Sequence, residues 1–164
     1  MSSPSPVSNA LADGIVHSAE LLRRYLPGFD DSNATRQAPN LPNHATWCMG
    51  HLAVTMHRIA ERISQKDLPL DWDPEPFAFG SKPAADRVAY PTWSEINKRF
   101  DAAVRTLADV VRGLSEADLT RTIPWGAGTI TVRDAAMRMV FHNGTHTGQI
   151  VDLRRALGME RVIK

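Results

Sequence analysis

Apolar residues at Leu11, Ile15, Ala19, Leu22 and Leu26 recur at spacings of three and four, which predicts a helix from about Ser8 to Leu26 with one face turned to a core. Pro27-Gly28 closes it, and the turn-rich linker FDDSNATRQAPNLP follows. A second helix is predicted from Asn43, as its N-cap, to about Ser64, with Leu52, Met56, Ile59 and Ile63 on one stripe. Five of the eleven prolines then fall between Gln65 and Pro91, so regular structure is not expected there. Thr92-Trp93-Ser94-Glu95 reads as a capping box opening a third helix, in which Ile96, Phe100, Ala103, Leu107, Val110 and Leu114 repeat almost as heptads until Gly113. Ser115 to Leu119 adds a short helical turn, and RTIPWGAGTI reads as a Gly-rich bend. Thr131-Val132-Arg133-Asp134 is a second capping box, starting a helix that runs to Leu157 with Gly158 just past its end.

Four long helices without a convincing strand predict an all-α fold, a four-helix bundle. The connection between the second and third helices is too long for a tight turn and can return along a helix of about 33 Å, so these two helices can run parallel, joined by a crossover. We expect a disordered tail at residues 1–7 and a single domain at 8–164. No internal repeat is visible.

Composition narrows the function classes. A chain of 164 residues can bury a core without disulfides or a structural metal. Nineteen basic residues nearly cancel eighteen acidic ones and form no positive stripe, so nucleic acid is not an expected partner. Cys48, the lone cysteine, rules out an internal disulfide and fits a reducing compartment, so the expected location is the cytoplasm. No apolar stretch approaches the roughly 20 residues that span a bilayer, and MSSPSPVSN lacks the features of a signal peptide, so no membrane partner is expected.

The last helix carries the chemistry. Its inward stripe is Val132, Ala135, Met139, His142, His146, Ile150, Leu153, Leu157, with histidines at two core positions. A spacing of four places them about 40° apart around the axis and about 6 Å along it, so both imidazoles can reach one ion. A single histidine on an apolar face is more often a hydrogen-bonded core residue, but two neutral imidazoles need partners this stripe does not offer, and two charged ones repel. A divalent metal satisfies both. A third ligand must then come from a facing helix, and His51 lies beside Leu52 on the inward side of the second helix. His57, about 240° further round, faces elsewhere, and His17 has no local partner. His44 and Cys48, two turns and one turn before His51, are candidates for a further ligand, with a small buried hydrophobe as the plainer role for Cys48. The metalloprotease pattern places Glu immediately after the first histidine; here the run is His142-Asn143-Gly144-Thr145-His146, which disfavours peptidase activity.

TVRDAAMRMVFHNGTHTGQIVDLRRALG, with His142 and His146 followed by Gly148-Gln149-Ile150, resembles the last helix of the DinB/YfiT-like proteins. WCMGHLAVTMHRI, centred on Gly50-His51-Leu52, is similar to their second helix, and the likeness extends loosely over the chain, including Tyr90-Pro91-Thr92-Trp93. The resemblance implies an up-down-down-up bundle, a three-histidine site at His51, His142 and His146 for nickel or zinc, and often a homodimer. The few activities known among relatives are bacillithiol S-transferases, mycothiol-dependent maleylpyruvate isomerases and metal-dependent hydrolases.

Three imidazoles leave positions on an ion open, as a catalytic metal requires. The first expectation is an S-transferase that presents a low-molecular-weight thiol to a small electrophile. The alternatives are a metal-dependent hydrolase of a small ester or amide, and a non-catalytic metal-binding stress-response protein acting through a partner or as a dimer. Mid-helix Gly144 and Gly148 suit close helix approach, inside the bundle or outside it. Gln149 is placed to orient a ligand or simply to face solvent. Arg154 and Arg155 are placed to receive a carboxylate, although favourable interaction with the helix dipole is the plainer reading. Trp72, Phe77 and Phe79 either cover the site as a lid or anchor the crossover, with anchoring preferred; Trp47 and Trp125 have the same two readings.

Overall fold

The computed structural model describes residues 3–163. Its long helices are α1 (Pro6–Arg23), α2 (Ala45–Ser64), α3 (Trp93–Arg112) and α5 (Val132–Ala156), with a short α4 (Glu116–Thr120) between the last two. They form an all-α bundle in the expected up-down-down-up order. Ile15 and Leu22 of α1, Leu52 and Met56 of α2, Phe100 and Leu107 of α3, and Ile150 of α5 meet in a core that excludes solvent.

Helix starts follow the local chemistry. Thr92 and Glu95 close the reciprocal cap expected at α3, with Glu95 N–H donating to Thr92 Oγ1 at 3.2 Å and Thr92 N–H to the Glu95 carboxylate at 3.0 Å. Thr131 Oγ1 accepts from Asp134 N–H at 3.1 Å, and Gly158 takes the left-handed conformation just past the end of α5. Two starts differ from expectation. α1 begins at Pro6 because Ser5 caps it, accepting from Val7 N–H at 3.1 Å, and proline suits the first helical position. Of the supposed tail, Met1 and Ser2 lie outside the described residues, while Ser5 to Val7 belong to this helix start. α2 is capped by His44 instead of Asn43.

The Gly-rich bend proves to be a β-hairpin. β1 (Thr122–Trp125) pairs antiparallel with β2 (Gly128–Thr131), Trp125 opposite Gly128. The two-residue loop has positive φ at Gly126 alone, as a type II′ turn requires. Pro124, opposite Thr129, stands one step from the closing pair, where an antiparallel ladder needs no N–H from it. Ile123 anchors the hairpin in the core, leaving Trp125 and Ile130 to face α5.

The crossover between α2 and α3 is ordered by single 3-10 turns at Glu75–Phe77 and Arg87–Ala89. It is strapped to α2: Trp47 Nε1–H donates to Ser81 Oγ at 2.9 Å, and Phe77 is fully buried. Anchoring therefore describes Phe77, as expected. Phe79 is 96% exposed and stands at the edge of a cleft beside the histidines. No described helix is long and apolar enough to cross a membrane.

Candidate metal centre

α2 and α5 bring His51, His142 and His146 together, with one nitrogen from each ring lying within 4.8 Å of the others. The facing atoms are Nε2. His142 Nε2 and His146 Nε2 are 3.2 Å apart, and His51 has Nε2 free because its Nδ1–H donates to the carbonyl oxygen of Phe77 at 2.8 Å. Two nitrogens bound to one tetrahedral ion at about 2.05 Å would stand about 3.3 Å apart, so the spacing on α5 fits a shared ion. His146 is held similarly: its Nδ1–H donates to Gln149 Oε1 at 3.1 Å. His142 Nδ1 is buried without a protein partner among the described residues.

Electrostatics favour the neutral, ligating form of each ring. Burial lowers the pKa of His142 to about 4, and the neighbouring His51 pushes it the same way. His146 falls to about 3 through burial, then repulsion from His142 and His51, against a smaller opposing effect of the Gln149 hydrogen bond. His51 is lowered by burial, with the Phe77 carbonyl opposing. At neutral pH no ring has to lose a net positive charge to bind an ion, and the hydrogen bonds of His51 and His146 leave their Nε2 atoms as the lone-pair nitrogens. Trp47 stacks on His51 with ring centroids 4.6 Å apart and planes 7° from parallel, fixing that ring from the side.

The structure assigns other roles to the two extra candidates. His44 Nδ1 accepts from Trp47 N–H at 3.0 Å as the α2 cap, and its Nε2–H donates to Ala84 O at 3.0 Å, so neither nitrogen remains for an ion. Cys48 donates its thiol proton to Gln149 Oε1 at 3.3 Å, and burial pushes its pKa up to about 12. It is a buried proton donor, not a thiolate. Gln149 Oε1 also accepts from Asn43 Nδ2–H at 3.1 Å, so three donors from α2, its approach and α5 converge on one oxygen. His57 lies away from the triad, its ring bonded to Leu68 O. Arg154 is buried and donates to carbonyls of Tyr25, Pro27 and Glu160, while Arg155 pairs with Asp152 at 3.1 Å. Both have local structural partners.

Outside the triad lies an open cleft of about 760 Å³ whose wall includes His51 and His142 but not His146. Phe79, Trp125, Met137 and Phe141 make its surface mostly apolar. This size is ordinary for a small-molecule site. The hairpin that supplies Trp125 leaves no mark on the helical periodicity, because two four-residue strands, the first containing a proline, carry almost no strand signal.

The sequence matches the DinB superfamily over residues 15–150. The chain belongs to the DinB superfamily. Its fold is also similar to a crystal structure described as the conserved protein of locus from Enterococcus faecalis, with a TM-score of 0.73 at 19% identity, covering 94% of this chain and 99% of that one. No curated protein matches the sequence. The α5 pair and His51, in the Gly50-His51-Leu52 segment of α2, lie together in this bundle as a group that could hold a metal ion.

Proposed function

We propose that this DinB-superfamily protein is a metal-dependent S-transferase, joining a low-molecular-weight thiol to a small, largely apolar electrophile. The supporting observation is the triad itself: three neutral imidazoles, one open cleft, and no carboxylate in the group among the described residues. A divalent ion such as nickel or zinc, held by Nε2 of His51, His142 and His146, would supply the positive charge that lowers the pKa of a bound thiol. His51 and His142 present that position to the cleft, while Phe77 O and Gln149 Oε1 hold two of the rings in the ligating tautomer. In the transfer, the thiol proton passes to solvent, a carbon–sulfur bond forms, and the leaving group departs with its electron pair.

The missing carboxylate weighs against hydrolysis. A water nucleophile gains from a general base within hydrogen-bond reach. Asp134, the acid on the cleft wall, stands eight residues before His142, about 12 Å along α5. A thiol needs no such base once its proton is lost.

The test uses metal-loaded protein with a panel of low-molecular-weight thiols and 1-chloro-2,4-dinitrobenzene, following the thioether by absorbance. Transfer well above that of a variant with His51, His142 and His146 replaced by alanine is expected. Equal rates with every thiol overturn the transferase reading, and turnover of an ester panel indifferent to added thiol selects the hydrolase instead. Elemental analysis of untagged protein beside the same variant tests the ion separately.

A further inference from the structure

The cleft carries information about the second substrate that the triad does not. Phe141 is 70% exposed and Met137 is 44% exposed, and both stand with Phe79 and Trp125 around one opening. Such a cluster beside two ligand-ready histidines matches the apolar body of a small molecule. Its wall also bears one guanidinium. Arg138 lies over the ring of Trp125, 5.6 Å from the centroid, and makes no ion pair or side-chain hydrogen bond among the described residues. Arg133, five residues nearer the helix start, is by contrast engaged with Glu116 at 2.5 Å. Asp134, also on the cleft wall, keeps its charge but forms no ion pair with Arg138; its carboxylate accepts from Thr131 Oγ1 at 2.8 Å at the start of α5.

Arg138 and His142 are four residues apart on one helix, about 6 Å along its axis. A planar guanidinium binds a carboxylate through paired hydrogen bonds, and the stacked Trp125 ring limits the orientations it must give up. We propose that the cleft takes a small organic acid with an aromatic or alkyl body: its carboxylate on Arg138, its apolar body against Trp125, Met137 and Phe141, and its reacting atom about one ring's length away at the His51–His142 side. This rests on reading the cleft as the substrate side of the triad. It assigns the acid to the electrophilic partner, whose largely apolar body this wall matches.

The experiment titrates 2-naphthoate and its uncharged analogue 2-naphthamide into full-length, metal-free protein by calorimetry. Wild type is expected to bind the acid at least about tenfold more tightly than the amide. Arg138→Gln, at an exposed helix position that should leave folding intact, is expected to abolish that preference without changing affinity for the amide. Phe141→Ser is expected to weaken both ligands. Equal affinities in wild type, an acid preference that survives Arg138→Gln, or no binding of either probe because a second copy covers the cleft would each overturn the proposal. An acid preference that appears only in metal-loaded protein and persists in Arg138→Gln would place the carboxylate on the ion and overturn it too. Failure of the protein to take up metal, with the Arg138-dependent preference intact, would sink the transferase reading and leave this assignment standing.

Discussion

A Cβ on Gly50 would lie 2.2 Å from the ring of Phe77. The glycine before His51 is therefore a seat for the crossover, letting Phe77 press against α2 so that its carbonyl reaches His51 Nδ1. Gly50→Ala is expected to force Phe77 outward, lowering stability by about 1–3 kcal/mol through overpacking. Metal affinity should fall about 10–100-fold as His51 loses the acceptor that fixes its tautomer. Thermal melts and competitive metal titration check the two effects. An alanine variant with unchanged affinity would show that the Phe77 contact does not matter to His51.

Much of this centre was legible because helices are periodic. The interval from His142 to His146 fixes their common face before any fold is known, and His51 sits beside Leu52 on a stripe that must face inward. Phe77 O could not be found that way: it lies 26 residues from His51 in an irregular crossover, and backbone acceptors leave no trace in side-chain patterning. The same limit hid the hairpin, and it also concealed why His44 is no ligand, since its Nε2 is occupied by Ala84 O, 40 residues away.

Gln149 provides a second test of the inner architecture. Its Oε1 accepts from His146, Asn43 and Cys48, so Gln149→Leu leaves three donors without an acceptor and lets the His146 ring turn. We expect about 10–100-fold weaker metal binding for Gln149→Leu, and affinity within about tenfold of wild type for Gln149→Glu, which keeps an acceptor oxygen. Cys48→Ser should keep its metal stoichiometry, because the thiol donates to Gln149 and is not aimed at an ion. Loss of metal from Cys48→Ser would return the sulfur to the ligand set.

Acid should destabilise the metal-free protein through the same rings. The folded pKa values of His142 and His146 lie at about 4 and about 3, below the ordinary imidazole value of about 6.5, so the unfolded chain binds more protons between those limits. The stability associated with their neutral forms is present above about pH 6.5 and is lost as pH falls toward 4 and below. Chelator-treated wild type should therefore melt at progressively lower temperature across that window. A His142→Gln, His146→Gln double variant should show a shallower decline. Parallel curves for the two proteins would mean that other groups control the acid response.

The glycines on α5 give an opposite sign. A Cβ at Gly144 or Gly148 would meet nothing within 4 Å, so neither is needed for packing inside the bundle. Each leaves a flexible backbone in the middle of a 25-residue helix, at about 1 kcal/mol relative to alanine. Gly144→Ala and Gly148→Ala are accordingly expected to stabilise an isolated chain by about 0.5–1 kcal/mol each, measured by denaturant unfolding at low protein concentration. The homodimer implied by the family likeness makes a different demand, since glycines in a dimer contact would turn this gain into a loss at concentrations where the dimer forms. Unfolding measured over a hundredfold range of protein concentration separates the cases: a concentration-independent gain places both glycines on a free surface, and a loss that grows with concentration places them against a second copy.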